Sequence, residues 1–122
     1  MTGFISVIVL NELLHKLMIG EIAQKCILKP EQVISRVKRD RTIMEHLQAY
    51  EIVEDVVQNY NLSILPVAVE SFKLACKFMQ EYRLLSNDAH HLAVMKQFEI
   101  LDLVTNDKDF DSVSTLRIWK PE

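Results

Sequence analysis

Glycine is scarce in this chain of 122 residues, which contains only Gly3 and Gly20. Phosphate-binding loops of the P-loop and dinucleotide types need several glycines within a few positions, so both kinds of nucleotide site are excluded. Cysteine is equally scarce, since Cys26 and Cys76 lie far apart and form no C-x-x-C pair. Two isolated thiols favour buried, reduced cysteines of a cytosolic protein.

The chain also lacks a long apolar run and an excess of basic residues. The apolar N-terminus, MTGFISVIVL, has no basic residue and is interrupted at Asn11–Glu12, which makes it too short to cross a bilayer. Fourteen Lys and Arg against seventeen Asp and Glu give a net charge of −3, which argues against a basic surface for duplex DNA. We therefore expect one cytoplasmic domain, residues 1–122, without membrane association.

The apolar spacing predicts an α/β domain. Strands are predicted over 4–9, 62–65, 100–104 and 116–119, and a polar loop over 105–111. A first helix is predicted from residue 10 to about 18, with Gly20 as its end. Further helices are predicted over 21–27, from Pro30 onward, over 42–60 and over 68–82. A last helix is predicted to begin at a cap formed by Ser86 or Asn87. Strands separated by helices indicate a mostly parallel sheet.

Carboxylates are predicted at one edge of this sheet. Glu12 follows the first strand in the first turn of a helix, Asp88 begins a helix that leads into strand 100–104, and Asp107 and Asp109 follow that strand. Ligands bind at this edge in open α/β sheets, and carboxylates suit hard divalent cations. Two such cations can activate water and stabilise the leaving oxygen of a phosphodiester.

Each acid also has a purely structural interpretation. Glu12 precedes Lys16 by four residues, the favourable order for a surface ion pair. Asp88 is favoured by the helix dipole in a first turn. Asp107 and Asp109 are ordinary turn residues in T-N-D-K-D. Spacing alone leaves the metal site and the structural role open.

One basic run interrupts the acidic chain, and it contains Arg36, Lys38, Arg39 and Arg41 with Asp40 inside it. Such a run is usually a solvated helix end. A phosphate-contacting patch is the alternative.

Three motifs near the C-terminus carry a resemblance to a known family. The segments LLSNDAHHLAVM at 84–95, ILDLVTNDKDF at 100–110 and LRIWKP at 116–121 strongly resemble the end of a PIN domain. Upstream, ISVIVLNELLHK at 5–16 resembles the second strand of that family and its acid-bearing helix. The resemblance implies a PIN-like three-layer sandwich with a mostly parallel sheet, and the chain is similar to the VapC-type toxins of toxin–antitoxin pairs.

The resemblance further implies a metal-dependent endoribonuclease, with Mg²⁺ or Mn²⁺ held by a cluster of four acids. Glu12 matches the second acid, Asp88 the third and Asp107 the fourth, and these three are the expected catalytic residues and metal ligands. Asp109 and Thr105 match secondary residues of the same site. The implied partners are RNA, a small antitoxin and a second copy of the chain in a homodimer.

The chain departs from the family at its start. PIN domains begin with a central strand ending in an Asp-Thr-Asn type motif, and nothing here corresponds to that strand or its acid. The natural protein starts upstream of Met1, or the chain is an inactive homologue, or a second copy exchanges elements with it. We favour the first explanation. The alternative function is a non-catalytic PIN-like protein that engages an antitoxin or dimerises.

Overall fold

The computed structural model describes residues 3–121 and has the predicted mixed α/β fold. Its helices are α1 (Val7–Cys26), α2 (Pro30–Arg39), α3 (Ala49–Asn59), α4 (Val69–Tyr82) and α5 (Ser86–Gln97), with 3₁₀ helices at Arg41–His46 and Lys108–Phe110. Its strands are β1 (Gly3–Ser6), β2 (Leu62–Leu65), β3 (Asp102–Val104) and β4 (Arg117–Trp119). None of the helices within residues 3–121 is both long and apolar enough to span a membrane.

The strands within these residues pair two by two. β1 pairs with β2, and β3 pairs with β4 in a separate sheet. The second pair is parallel, as predicted, with Asp102 opposite Arg117 and Val104 opposite Trp119. The described residues thus contain two short sheets instead of one continuous sheet.

The chain divides into two compact units. One contains residues 3–5 and 9–64, and the other contains residues 6–8 and 65–121. Each unit has a core of its own. The assignment of 1–122 to a single domain stays a prediction.

The first unit is centred on α1, which is longer than predicted. The prediction that Gly20 ends the helix is wrong, because α1 continues to Cys26, and the predicted strand 4–9 ends at Ser6. Glycine costs a helix interior about 1 kcal/mol relative to alanine. Packing of Ile22, which is fully buried, against Val33 and Leu47 stabilises the second half of α1 and outweighs that cost.

The predicted helix 42–60 is also wrong, since the structure divides it. A 3₁₀ helix covers Arg41–His46, Leu47 is extended and buried, and α3 begins at Ala49. The start of α3 is capped from a distance: the two carboxylate oxygens of Glu21 accept the backbone N–H groups of Gln48 and Ala49, each at 2.8 Å. This contact satisfies two of the donors that a helix N-terminus leaves open.

The second unit is built on two packed helices. Phe78 and Ala75 of α4 pack against Leu92 and Ala93 of α5, and Val113 joins the same buried cluster from the C-terminal segment. Strands β3 and β4 follow in the chain. This core fixes the position of α5 and of the loop that follows β3.

Candidate metal centre

The loop after β3 is held by hydrogen bonds at its start. The backbone N–H of Thr105 donates to the carbonyl oxygen of Trp119 at 3.0 Å, which extends the pairing with β4 by one residue. The hydroxyl oxygen of Thr105 accepts the N–H of Asp107 at 3.0 Å. In turn, Asp107 Oδ1 accepts the N–H of Asp109 at 2.9 Å and caps the 3₁₀ helix Lys108–Phe110. The two aspartates are therefore fixed by local turn chemistry.

Apolar anchors hold the other end of this loop. Phe110 is 4% exposed and Val113 is 2% exposed, while Asp107 and Asp109 between the strand and these anchors are exposed. Burial of the two apolar side chains restricts the conformations of the loop, while the two acids remain at the surface. The loop thus presents two carboxylates from a fixed backbone.

Helix α5 supplies the third carboxylate. Asp88 lies in its first turn and is half-buried, and Ala89, directly after it, is fully buried in the core of the unit. The predicted cap at Ser86 or Asn87 is wrong, because Leu85 occupies the N-cap position and its side chain makes no capping hydrogen bond. The packing of α5 on α4, rather than a cap, positions Asp88.

The three aspartates converge. One carboxylate oxygen from each of Asp88, Asp107 and Asp109 lies within 4.8 Å of the others. A divalent cation holds oxygen ligands at about 2.0 to 2.6 Å, so ligands on opposite sides of one ion lie about 4 to 5 Å apart. The spacing of the three aspartates therefore fits a single divalent cation. The ligands are all oxygen, the set that Mg²⁺ and Mn²⁺ prefer.

Two of the three aspartates, Asp107 and Asp109, are not neutralised by a basic side chain of the described residues. Throughout residues 3–121, no Lys or Arg forms an ion pair with Asp107 or Asp109, and the neighbouring Lys120 pairs with Asp111 at 3.1 Å. Like charges at this separation repel one another. A bound cation would remove that repulsion.

The remaining predicted residues have different positions. The hydroxyl oxygen of Thr105 accepts the backbone N–H of Asp107. Asp109, predicted as a secondary residue, has a carboxylate oxygen within 4.8 Å of those of Asp88 and Asp107. Glu12 lies in the first compact unit, half-buried, as the sixth residue of α1. It is therefore in the second turn of its helix and not in the first, because α1 begins at Val7.

Comparison with known proteins connects this geometry with a family. A family model described as the PIN domain matches residues 2–116. The chain belongs to the PIN domain family. The acidic cluster of this PIN domain lies within the matched region. No solved structure matches the chain.

A curated relative supports the same family. Ribonuclease VapC6 of Methanocaldococcus jannaschii is 36% identical over 70 residues, which are 57% of this chain and 46% of that protein. The match thus spans about half the length of the relative. This PIN domain is thus similar to part of a protein that is named as a ribonuclease.

Proposed function

We propose that this PIN domain is a metal-dependent endoribonuclease of the VapC type, which hydrolyses RNA phosphodiesters. The observation that carries the proposal is the convergence of Asp88, Asp107 and Asp109 within 4.8 Å. The ribonuclease name of the relative supports RNA as the substrate. We place the activity in the cytoplasm, as the reduced cysteines suggest.

The three aspartates would hold Mg²⁺ or Mn²⁺, and Glu12 is proposed as a further ligand. When bound, such an ion supplies an activated water and offsets the charge on the scissile phosphate. Asp107 is oriented for this role by Thr105, and its other hydrogen bond fixes the backbone of Asp109. Asp88 is oriented by the buried side of α5. The protein's contribution is a fixed set of oxygens whose arrangement needs little change when a cation binds.

Cleavage assays test this proposal directly. Purified protein is incubated with single-stranded RNA and Mn²⁺ or Mg²⁺, and Asp107→Asn is compared with Asp55→Asn, which neutralises an exposed acid on α3. We expect metal-dependent cleavage that Asp107→Asn reduces by at least about 100-fold and that Asp55→Asn preserves. Equal activity of the two variants would contradict the proposal, as would cleavage that continues in EDTA.

The proposed partners follow from the resemblance to VapC-type toxins. A small antitoxin would bind the domain, and two copies would form a homodimer. Size-exclusion chromatography with light scattering measures the oligomeric state. A monomer across the accessible concentration range would contradict the homodimer and would leave the ribonuclease proposal unaffected.

A non-catalytic binding protein is the alternative. It would keep the fold and lack metal affinity, so calorimetric titration with Mn²⁺ separates the two functions.

A further inference from the structure

The basic run of the first unit forms a surface on α2 and the 3₁₀ helix that follows it. We define the α2 basic surface as Arg36, Lys38, Arg39 and Arg41. Arg36 is half-buried and the other three are exposed. Over the part of the chain that the structure describes, none of the four forms an ion pair.

The acid inside the run is engaged elsewhere. Asp40 Oδ1 accepts the backbone N–H of Thr42 at 3.2 Å and the Thr42 hydroxyl at 2.5 Å, so it caps the 3₁₀ helix. The other acid of α2, Glu31, lies in the first turn, about 12 Å along the helix axis from Arg39. Neither carboxylate neutralises the basic surface.

The buried side of α2 holds the helix on the core of the first unit. Val33 is fully buried and packs with Ile22 and Leu47, and Val37 packs against the same cluster. Arg36 and Arg39 are three positions apart, so they are neighbours on one side of the helix. The two arginines thus lie one turn apart on a helix that the core holds in place, and guanidinium groups bind phosphates bidentately.

The charge distribution indicates a polyanion as the occupant. Residues 29–41 contain five cations and two acids, a net charge of +3 in a chain whose total is −3. The rest of the chain therefore carries −6 and repels a phosphate backbone. The α2 basic surface is the place where electrostatic attraction favours one.

We propose that the α2 basic surface binds the phosphate backbone of single-stranded RNA and thereby recruits the substrate. The inference rests on the proposed ribonuclease function for its choice of polyanion. Phosphate contacts position a nucleic acid without reading its bases, so the surface contributes affinity and not sequence preference. A purely structural role is the alternative, since cations in the last turn of a helix also favour its dipole.

Binding without cleavage tests the surface. The full chain is titrated into a fluorescein-labelled single-stranded RNA in EDTA, and anisotropy is recorded over a series of salt concentrations. The Arg36→Gln/Arg39→Gln variant is compared with Lys73→Gln/Lys77→Gln, which removes the same charge from exposed positions of α4. Circular dichroism establishes that each variant is folded.

We expect Arg36→Gln/Arg39→Gln to bind RNA about tenfold more weakly at low salt, with a log–log salt slope reduced by about 1.4, because each lost phosphate contact contributes about 0.7. The α4 control should keep the wild-type affinity. If the α2 variant does not fold, Lys38→Gln/Arg41→Gln, which changes two exposed side chains, replaces it. Wild-type affinity in the α2 variants, equal losses in the control, or no RNA binding by the wild type would overturn the proposal.

The outcomes separate this surface from the proposed active site. If cleavage depends on Asp107 while Arg36→Gln/Arg39→Gln binds RNA normally, the proposal for the α2 basic surface is contradicted and the ribonuclease proposal is supported. If the α2 variant loses RNA affinity but the wild type shows no metal-dependent cleavage, the RNA-binding proposal is supported and the ribonuclease proposal is contradicted.

Discussion

Glu21 in the first compact unit and the aspartate cluster in the second contain the same functional group in different surroundings. The carboxylate of Glu21 accepts two backbone N–H groups and pairs with Lys25 Nζ at 2.6 Å. The carboxylates of Asp88, Asp107 and Asp109 lie within 4.8 Å of one another, and Asp107 accepts the backbone N–H of Asp109. A carboxylate surrounded by donors stabilises the fold, whereas carboxylates that face one another suit a cation. The surroundings, and not the residue type, separate a structural acid from a candidate ligand.

The largest expected effect is on the activity of the cluster. Asp88→Asn should reduce metal-dependent RNA cleavage by at least about 100-fold, which corresponds to about 2.7 kcal/mol in the activation barrier. Asp109→Asn, which removes one of the three mutually repelling charges at an exposed position, should not lower the stability without metal. Cleavage rates and thermal unfolding in EDTA measure both quantities. A loss of stability in Asp109→Asn comparable to that of a Glu21 variant would place Asp109 with the structural acids.

The second prediction removes the structural acid. Glu21→Ala should lower the free energy of unfolding by about 2 kcal/mol, since it removes a helix cap and leaves two N–H groups of α3 without an acceptor. Chemical denaturation measures this change. The control Glu54→Ala, at an exposed position of α3, should change stability by less than about 0.5 kcal/mol. Similar losses in the two variants would refute the capping role.

The pH dependence of stability sharpens the same contrast. Partial burial raises the pKa of Glu21, but the hydrogen bonds from Lys25, Gln48 and Ala49 outweigh it, and the pKa lies below its usual value of 4.5. The stabilisation is therefore fully present above that value and is lost as the pH falls through the lowered pKa. The stability difference between wild type and Glu21→Gln, about 1 kcal/mol at neutral pH, should shrink in acid. A stability difference that grows as the pH falls would contradict a lowered pKa of Glu21.

The smallest expected effect concerns the backbone of α1 beside Glu21. Gly20 precedes Glu21 in the helix, and a Cβ added at Gly20 meets nothing within 4 Å. Gly20→Ala should therefore stabilise the protein by about 0.5 to 1 kcal/mol through helix propensity. Thermal unfolding measures the gain, and metal-dependent cleavage should remain unchanged. A destabilised variant would mean that α1 is not helical at this position.

Local signals explain the parts that sequence reasoning predicted. Strand β3, the T-N-D-K-D loop and strand β4 follow one another within a short segment, and turn chemistry between near neighbours fixes Asp107 and Asp109. The α/β class was predicted correctly from the alternation of strands and helices, and the β3–β4 pair has the parallel direction expected of such a sheet. The resemblance to PIN domains, now confirmed, also rests on these neighbouring motifs.

Distant contacts explain the parts that sequence reasoning missed. The carboxylate of Glu21 caps a helix that begins 28 positions later, and neither the break at Leu47 nor the continuation of α1 through Gly20 has a local signal. Both depend on the packing of Ile22 with Val33 and Leu47. Asp88 and the loop were expected at one sheet edge, but spacing alone left their convergence open, because it depends on the packing of α5 on α4.

Calorimetric titration with Mn²⁺ tests the central claim most directly, because it measures the cation site without requiring the correct RNA. Wild-type protein should bind Mn²⁺ with measurable heat, Asp107→Asn should lose that binding, and Glu21→Gln should retain it. Equal Mn²⁺ binding by wild type and Asp107→Asn, or no binding by the wild type, would contradict the assignment of the aspartate cluster as a metal site.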